Sequence, residues 1–312
     1  IYAADGTVLV QHGGIELGQG INTKMAQIAA QELRIPMNLI RVGDTWTGAA
    51  PNSEPTAASS GSDLFGSAVK LACQTLRGRL AQYCEDSNTP AWSAQNAASW
   101  RTVVAKASGA RVDLQAEATY KTPYIGSVGG SQPYGRAFLY FTYSAACSEV
   151  EIDVLTGETT LLRTDILFDN GQSLNPCLDI GQIEGGFLQG VGMMLTEQMM
   201  YTADGALYSD GTWDYKPPGT KSVPLVFNVR LHQLERYHPD TGQPLDYASV
   251  NGSKGIGEPP LVLAATVFFA VKHAIVAARR DRGSTQWPEI TTPATVGRVQ
   301  QAICPTNDTL RL

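Results

Sequence analysis

The chain has 312 residues, of which 43% are apolar and 17% are charged, and its formal net charge is −6. This composition is typical of a globular protein with a sizeable core, and the absence of basic runs excludes a nucleic-acid-binding surface. The five cysteines form no CxxC pair, which excludes zinc-site and iron–sulfur spacing and favours reduced thiols in a reducing compartment.

Strands and helices alternate through the first 110 residues. A β-branched strand over 7–11 leads into the glycine-rich loop "HGGIELGQG". Asn22 can cap a helix with apolar residues at helical spacing up to Leu33, and "LIRVGD" is typical of a second strand. After the loop "APNSEPTAASSGSD", Ser62 or Asp63 can cap a helix over about 64–83, and a short helix can follow the loop-like 85–100.

Strand patterns dominate from residue 111 onward. They are followed by a Gly- and Met-rich helix over 182–200, a further strand, an all-round apolar helix over 261–280 and a Pro-started final helix. The predicted strands are "RVDLQAEATY", "FLYFTYSAACSEVEID", "TTLLRTDILFD" and "PLVFNVRLHQL", with "LTGE" as a hairpin turn. The mixture predicts an α+β fold with subdomains over 1–110 and 111–312. The longest mainly apolar run, 261–271, is too short to span a bilayer, so we expect no membrane partner.

Three small-residue stretches could bind a ligand, and each has a simpler explanation. In "GGIELGQG" the glycines could bring backbone N–H groups up to an anion, although a tight turn is the ordinary use of such glycines. The hydroxyls and small side chains of "PTAASSGSD" could hold a flat polar ligand, or the stretch is a loop with an N-cap. The glycines of "DIGQIEGGFLQGVG" could line a ligand or allow a close helix–helix crossing.

The stretch "GSKGIGEPPLVLAA" places Glu258 between a glycine strip and a double proline. An acidic residue before a Pro at the first helical position is an ordinary helix start, so Glu258 could be only a cap. Yet the following proline disfavours helical backbone at Glu258 and restricts its direction. A restricted carboxylate beside a glycine-lined cavity has what a general base requires.

Five motifs, taken in order, resemble those of the xanthine dehydrogenase/oxidase family of molybdenum hydroxylases. The resemblance runs from about Gly6 to Cys304 and corresponds to the C-terminal half of that family's molybdenum-binding region. "GEPPL" is similar to the xanthine dehydrogenase branch. The motifs are "GGIELGQGINTKMAQIAAQEL", "PNSEPTAASSGSDL", "ACSEVEIDVLTGE", "LRTDILFDNGQSLNPCLDIGQIEGGFLQGVG" and "GSKGIGEPPLVLAATVFFAVKHAI".

The resemblance implies a role for each matching residue. Glu258 would be the catalytic base that takes a proton from a molybdenum-bound hydroxide, and Ala57 and Ala58 would leave room for a flat substrate. No protein side chain would bind the metal, because a pterin dithiolene holds it. The expected cofactor-binding residues are Gly18, Gln19, Gly20, Thr56, Ser59, Ser60, Gly61, Gln182 and Gly257.

The resemblance also implies partners. The chain, which opens on "IYAADGTVLV" without an initiator Met, would be a fragment of a larger enzyme that is inactive by itself. The rest would supply the upstream half of the molybdenum region, a [2Fe-2S] domain and an FAD domain, with NAD or oxygen as final acceptor. We expect a cytoplasmic or peroxisomal homodimer that oxidises purines. The alternatives are an aldehyde oxidase, acting on aldehydes or other N-heterocycles, and a catalytically silent scaffold or dimerisation domain.

Overall fold

The computed structural model describes residues 1–84, 97–123, 138–232 and 249–304. The chain forms two compact units. The first comprises Ile1–Phe141, Asn170–Asp179 and Gln233–Gly255, and the second comprises Thr142–Asp169, Ile180–His232 and Ile256–Leu312. This division differs from the single boundary expected after residue 110, because two later segments return to the first unit. No sequence pattern marks those returns.

In the residues that the structure describes, the first unit packs three α-helices beside a small parallel sheet. Strands β1 (Val8–Val10) and β2 (Ile40–Val42) pair in parallel. The helices are α1 (Ile21–Leu33), α2 (Gly61–Leu80) and α3 (Ala97–Gly109). Met25, Leu80 and Trp100 are fully buried between these elements. The period-3.6 apolar spacing of α1 therefore forms one side of this core, as the sequence predicts.

A buried ion pair fixes the returning segment 170–179 within the first unit. Lys24 Nζ on α1 lies 2.9 Å from Asp179 Oδ1, and both side chains are buried. Asn170 Nδ2 and Ser173 Oγ donate to Asp179 Oδ2 at 2.8 and 2.6 Å. The ion pair and these two hydrogen bonds offset the desolvation cost of burying this carboxylate.

The second unit is a three-stranded sheet covered by helices. Strand β3 (Ser144–Ile152) pairs antiparallel with β4 (Thr159–Phe168), which pairs in parallel with β5 (Val226–Leu231). The helices are α4 (Pro176–Leu195, whose first turn belongs to the first unit), α5 (Pro259–Leu263), α6 (Ala265–Asp281) and α7 (Val296–Ile303). The α+β prediction is confirmed.

The glycines of α4 allow a close crossing. A Cβ on Gly186 would lie 3.0 Å from the carbonyl oxygen of Gly257, and one on Gly190 would lie 2.7 Å from Ala264 Cβ. Gly181 and Gly185, on the same helix, have nothing within 4 Å of such a Cβ. The packing explanation for part of this glycine cluster is therefore correct, and the backbone that α4 approaches is the one that carries Glu258.

Four expected features are wrong. The segment 111–120 is not a strand, because its carbonyl groups accept hydrogen bonds from Arg79 and from the N-terminal amine. Asn22 does not cap α1, since Gly20 is the N-cap and the Asn22 amide oxygen lies 2.8 Å from His12 Nε2. Helix α2 begins at Gly61 without a side-chain cap from Ser62 or Asp63, and the expected helix over 261–280 is interrupted at Ala264.

By length and composition, Pro259–Asp281 could also cross a membrane. In the structure this stretch is α5 followed by α6, and Val267, Val271 and Ile275 of α6 are fully buried in the core of the second unit. The core of a folded protein can pass the same compositional test, although only 33% of this window is buried, and Val262 and Phe269 are exposed.

We expect Gly190→Ala to lower the free energy of unfolding by about 1–3 kcal/mol, because the added methyl group overlaps α5. The matched control is Gly185→Ala, which adds the same methyl group to open space on the same helix and should stabilise by up to about 1 kcal/mol. Urea unfolding of the two variants and the parent chain measures both effects. Equal behaviour of the two variants would contradict the close crossing.

Candidate functional site

In the glycine-rich loop of the first unit, backbone N–H groups bind a carboxylate from the loop itself. The Glu16 carboxylate accepts hydrogen bonds from the backbone N–H groups of Gly18, Gly20 and Asn22 at 3.1, 2.8 and 3.1 Å. Gly18 and Gly20 have φ values of +102° and +75°, a region that glycine adopts without strain. The expectation that these N–H groups reach an external anion is corrected: in this structure Glu16 occupies them.

Gln19 completes this loop. Its Oε1 accepts from Leu17 N at 2.6 Å, and its Nε2 donates to the Ile15 carbonyl at 2.8 Å. These bonds hold the tight turn that the sequence left open as an alternative, so Gln19 shapes the loop in this structure.

The glycine-rich loop lies beside the loop that carries Thr56, Ser59 and Ser60, here called the hydroxyl-rich loop (residues 56–61). Ile15 N donates to Thr56 Oγ1 at 2.9 Å, across 41 residues of chain. This bond brings the start of the glycine-rich loop next to Thr56. Ala57 and Ala58 are exposed, and nothing lies within 4 Å of a Cβ built on Gly18, but the larger side chains of Ile15 and Leu17 are exposed in the same loop.

Two residues of the hydroxyl-rich loop hold a backbone conformation that non-glycine residues seldom adopt. Ala58 and Ser59 have φ values of +53° and +55°. Left-handed backbone costs an L-residue roughly 1–2 kcal/mol, and such strain concentrates at functional sites. The Ser60 hydroxyl donates to the Ala57 carbonyl at 2.9 Å and Leu64 N to the Ser60 carbonyl at 3.0 Å, which closes the turn at the start of α2.

The strip Asn251–Gly255 is held along its length inside the first unit. Asn251 accepts from Lys70 Nζ at 2.8 Å, the Gly252 carbonyl accepts from Gln172 N at 2.7 Å, and Lys254 N donates to the Asn170 carbonyl at 3.0 Å. The Lys254 ammonium also donates to the Phe141 carbonyl at 2.9 Å. Gly252 and Gly255 of "GSKGIGE" therefore belong to a strip of backbone held by hydrogen bonds.

A buried carboxyl group and a tyrosine hydroxyl hold the end of this strip. Gly255 N donates to Tyr140 Oη at 3.0 Å, and Tyr140 Oη donates to Asp63 Oδ2 at 2.5 Å. Burial raises the pKa of Asp63 to about 6, partly offset by the Tyr140 hydrogen bond. Burial and the Asp63 charge raise the pKa of Tyr140. The sequence offered Asp63 only as a cap and gave no signal for Tyr140, because their contact spans 77 residues of chain.

Glu258 belongs to the second unit and lies at the N-cap of α5. Its side chain is exposed and makes no capping hydrogen bond. Its backbone is helical, with φ −94° and ψ −33°, so the extended conformation expected before a proline is wrong. The cap role that the sequence offered as the alternative is thus not what this side chain does.

Gln182 and Gly257 also belong to the second unit. Gln182 is half-buried on α4, one turn before Gly186, and the Gly257 carbonyl faces Gly186 across the close crossing. Among the described residues, no group of three or more His, Cys, Asp or Glu side chains could hold a metal ion. The donors near the hydroxyl-rich loop are hydroxyl, amide and backbone groups, which fit a polar organic cofactor better than a bare cation.

A family model described as "Molybdopterin cofactor-binding domain" matches residues 1–224. The chain belongs to this family. It is also similar to curated xanthine dehydrogenases: 45% identical over 298 residues to that of Drosophila subobscura and 43% identical over 300 residues to the xanthine dehydrogenase/oxidase of Rattus norvegicus. Each alignment covers 96% of this chain and 21% of the relative, so the chain spans about a fifth of their length.

Solved structures share the fold. Quinoline 2-oxidoreductase from Pseudomonas putida 86 matches with a TM-score of 0.72 and 26% identity, over 96% of this chain and 37% of that chain. Aldehyde oxidoreductase from Desulfovibrio gigas matches with a TM-score of 0.70 and 22% identity, over 96% of this chain and 29% of that chain. The resemblance to the xanthine dehydrogenase/oxidase family, stated from the motifs, is confirmed.

The raised pKa of Asp63 predicts a pH-dependent contribution to stability. Since the pKa is about 6 in the folded protein and near 3.8 when unfolded, the contribution is full below about pH 4 and is lost as pH rises through 6. In Asp63→Asn the amide does not ionise, so this pH-dependent loss of stability disappears. From pH 4 to pH 7 we expect the variant to gain up to about 3 kcal/mol in unfolding free energy relative to the parent. Urea unfolding at both pH values measures it, and a pH-independent difference would contradict the buried carboxyl.

Proposed function

We propose that this chain is the cofactor-holding and base-bearing part of a molybdenum hydroxylase that oxidises purines. The observation that carries the proposal is Glu258: a carboxylate at the start of α5 that is exposed, does not cap the helix, and follows a strip of backbone held by hydrogen bonds. A general base needs a side chain that can reach the proton it removes and a backbone that is held in place. Both properties meet at this residue.

In this proposal the loops of the first unit hold the cofactor. Gly18, Gln19 and Gly20 form a turn already fixed by Glu16, and Thr56, Ser59, Ser60 and Gly61 offer hydroxyl and backbone groups beside it. The exposed methyl groups of Ala57 and Ala58 leave room for a flat ring. When bound, the molybdenum cofactor supplies the oxygen that enters the substrate and receives two electrons.

The chain's own chemical step is a proton transfer. A Glu258 carboxylate oxygen accepts the proton of the attacking hydroxyl group, which makes its oxygen a stronger nucleophile toward an electron-poor ring carbon. Gln182 and Gly257, which lie on α4 and on the backbone it approaches, belong to the cofactor-binding set by their match to the family's motifs. The [2Fe-2S] and FAD groups that would carry the electrons onward belong to other parts of a complete, dimeric enzyme.

A purine substrate is favoured over an aldehyde by the degree of similarity. The relatives at 43–45% identity are named xanthine dehydrogenase or xanthine dehydrogenase/oxidase, whereas the aldehyde oxidoreductase is 22% identical. Comparing kcat/KM for xanthine with that for an aromatic aldehyde separates the two substrate classes. A preference for the aldehyde would assign the protein to the alternative.

We expect Glu258→Gln in the complete enzyme to lower kcat for xanthine by at least about a hundredfold, because an amide cannot take the proton. The fold and the molybdenum content should stay unchanged, since Gln has nearly the same shape and the residue does not cap α5. Steady-state urate formation and metal analysis of the same preparation measure the two quantities.

The matched control is Glu158→Gln, the same chemical change at an exposed position of the β3–β4 turn. It should leave kcat within about twofold, as surface substitutions usually perturb a protein little. If Glu258→Gln instead retains activity within a few-fold of the parent, Glu258 is not the base and the proposed mechanism is wrong.

A further inference from the structure

A chain of two hydrogen bonds joins two segments that the proposed function assigns to different tasks. Asp63 lies in the first turn of α2, directly after the hydroxyl-rich loop. Tyr140 Oη donates to Asp63 Oδ2 at 2.5 Å and accepts from Gly255 N at 3.0 Å. Gly255 precedes Glu258 by three residues. The tyrosine hydroxyl therefore links the first turn of α2, directly after the hydroxyl-rich loop, to the strip that precedes Glu258.

We propose that Tyr140, acting through Asp63 and Gly255, is a positioning residue that fixes the backbone from which Glu258 projects. The inference rests on the proposed function, in which Glu258 is the base. Tyr140 itself need not touch substrate or cofactor. Its hydroxyl works in both directions, as donor to the carboxylate and as acceptor from the N–H group, so phenylalanine at this position would lose both bonds at once.

The close approach of Gly255 to the hydroxyl-rich loop supports this role. A Cβ on Gly255 would lie 3.1 Å from the Ser59 carbonyl oxygen and 3.3 Å from Ser59 Cβ. Ser59 is one of the two residues held in left-handed backbone, a conformation that persists only where surrounding contacts impose it. The Tyr140–Gly255 hydrogen bond therefore also holds Gly255 against the turn that carries Ser59 and Ser60.

The Tyr140 hydrogen bond also lies at the end of the strip that is nearest Glu258. Gly255 is the last residue of the strip within the first unit, and only Ile256 and Gly257 separate it from Glu258. Ile256 is buried among the core residues of the second unit. Glu258 is therefore only three residues from a backbone group that Tyr140 holds, and small misplacements of a catalytic group cost large factors in rate.

The first test measures the Tyr140–Gly255 hydrogen bond without catalysis. In a cofactor-free preparation of the complete enzyme, amide hydrogen exchange of Gly255 reports whether its N–H is bonded. We expect Tyr140→Phe and Asp63→Ala to speed this exchange by about tenfold, the ratio for loss of one hydrogen bond to a charged or polar partner. Asp63→Asn keeps an acceptor oxygen for the tyrosine hydroxyl and should recover most of the protection. Tyr2→Phe, at an exposed tyrosine, is the matched control.

The second test measures catalysis in the cofactor-loaded enzyme. We expect Tyr140→Phe to lower kcat by about ten- to a hundredfold with KM and molybdenum content little changed, because the base is displaced while binding groups remain. Asp63→Asn should recover most of the activity that Asp63→Ala loses. In a Glu258→Gln background, Tyr140→Phe should cause no further loss, since the group it positions has been disabled.

The outcomes separate the two proposals. If Glu258→Gln abolishes turnover while Tyr140→Phe leaves kcat and Gly255 exchange within about twofold of the parent, the positioning role is wrong and the base assignment stands. If Glu258→Gln is itself active, both fail. If Tyr140→Phe lowers kcat equally in the parent and in the Glu258→Gln background, Tyr140 acts on something other than the base, and the inference is overturned.

Discussion

The candidate site depends on the hydrogen bonds that fix the backbone of Asn251–Gly255. Each bond uses a main-chain or side-chain group of the first unit, and together they hold a glycine-containing segment that would otherwise carry high conformational entropy. Glu258 follows this segment directly, and its own cap position contributes no hydrogen bond from the side chain. The backbone that leads to the carboxylate is therefore held by hydrogen bonds immediately before it in the chain.

Glycine serves two different ends around this carboxylate. On α4, Gly186 and Gly190 let helix backbone approach the backbone of 257–264, so their value lies in close packing. In the loop before α1, Gly18 and Gly20 adopt positive φ and direct their N–H groups at Glu16, so their value lies in conformation. Both uses fix local backbone rather than loosen it, each within its own unit.

Local sequence patterns predicted most helices and strands, but they did not predict contacts between residues far apart in the chain. Apolar spacing predicted α1, residue composition predicted α4, and strand patterns with the "LTGE" turn predicted the β3–β4 hairpin, because each is formed by residues close in sequence. The false strand at 111–120 has suitable alternation, but its carbonyls bind Arg79 instead of a neighbouring strand. For the site, the resemblance of the motifs pointed to Glu258 and the two loops, whereas the Tyr140–Asp63 contact spans 77 residues of chain and left no local signal.

The most direct measurement is a crystal structure of the complete enzyme with its cofactor and a slowly turned-over purine. The account predicts a Glu258 carboxylate oxygen within about 3.2 Å of the attacking oxygen, or one water away from it, and hydroxyl-rich loop residues 56–61 in contact with the pterin. It also predicts that the Tyr140–Gly255 hydrogen bond is retained. A Glu258 side chain that points away from the reacting atoms, beyond the reach of one bridging water, would contradict the central claim that this carboxylate is the base.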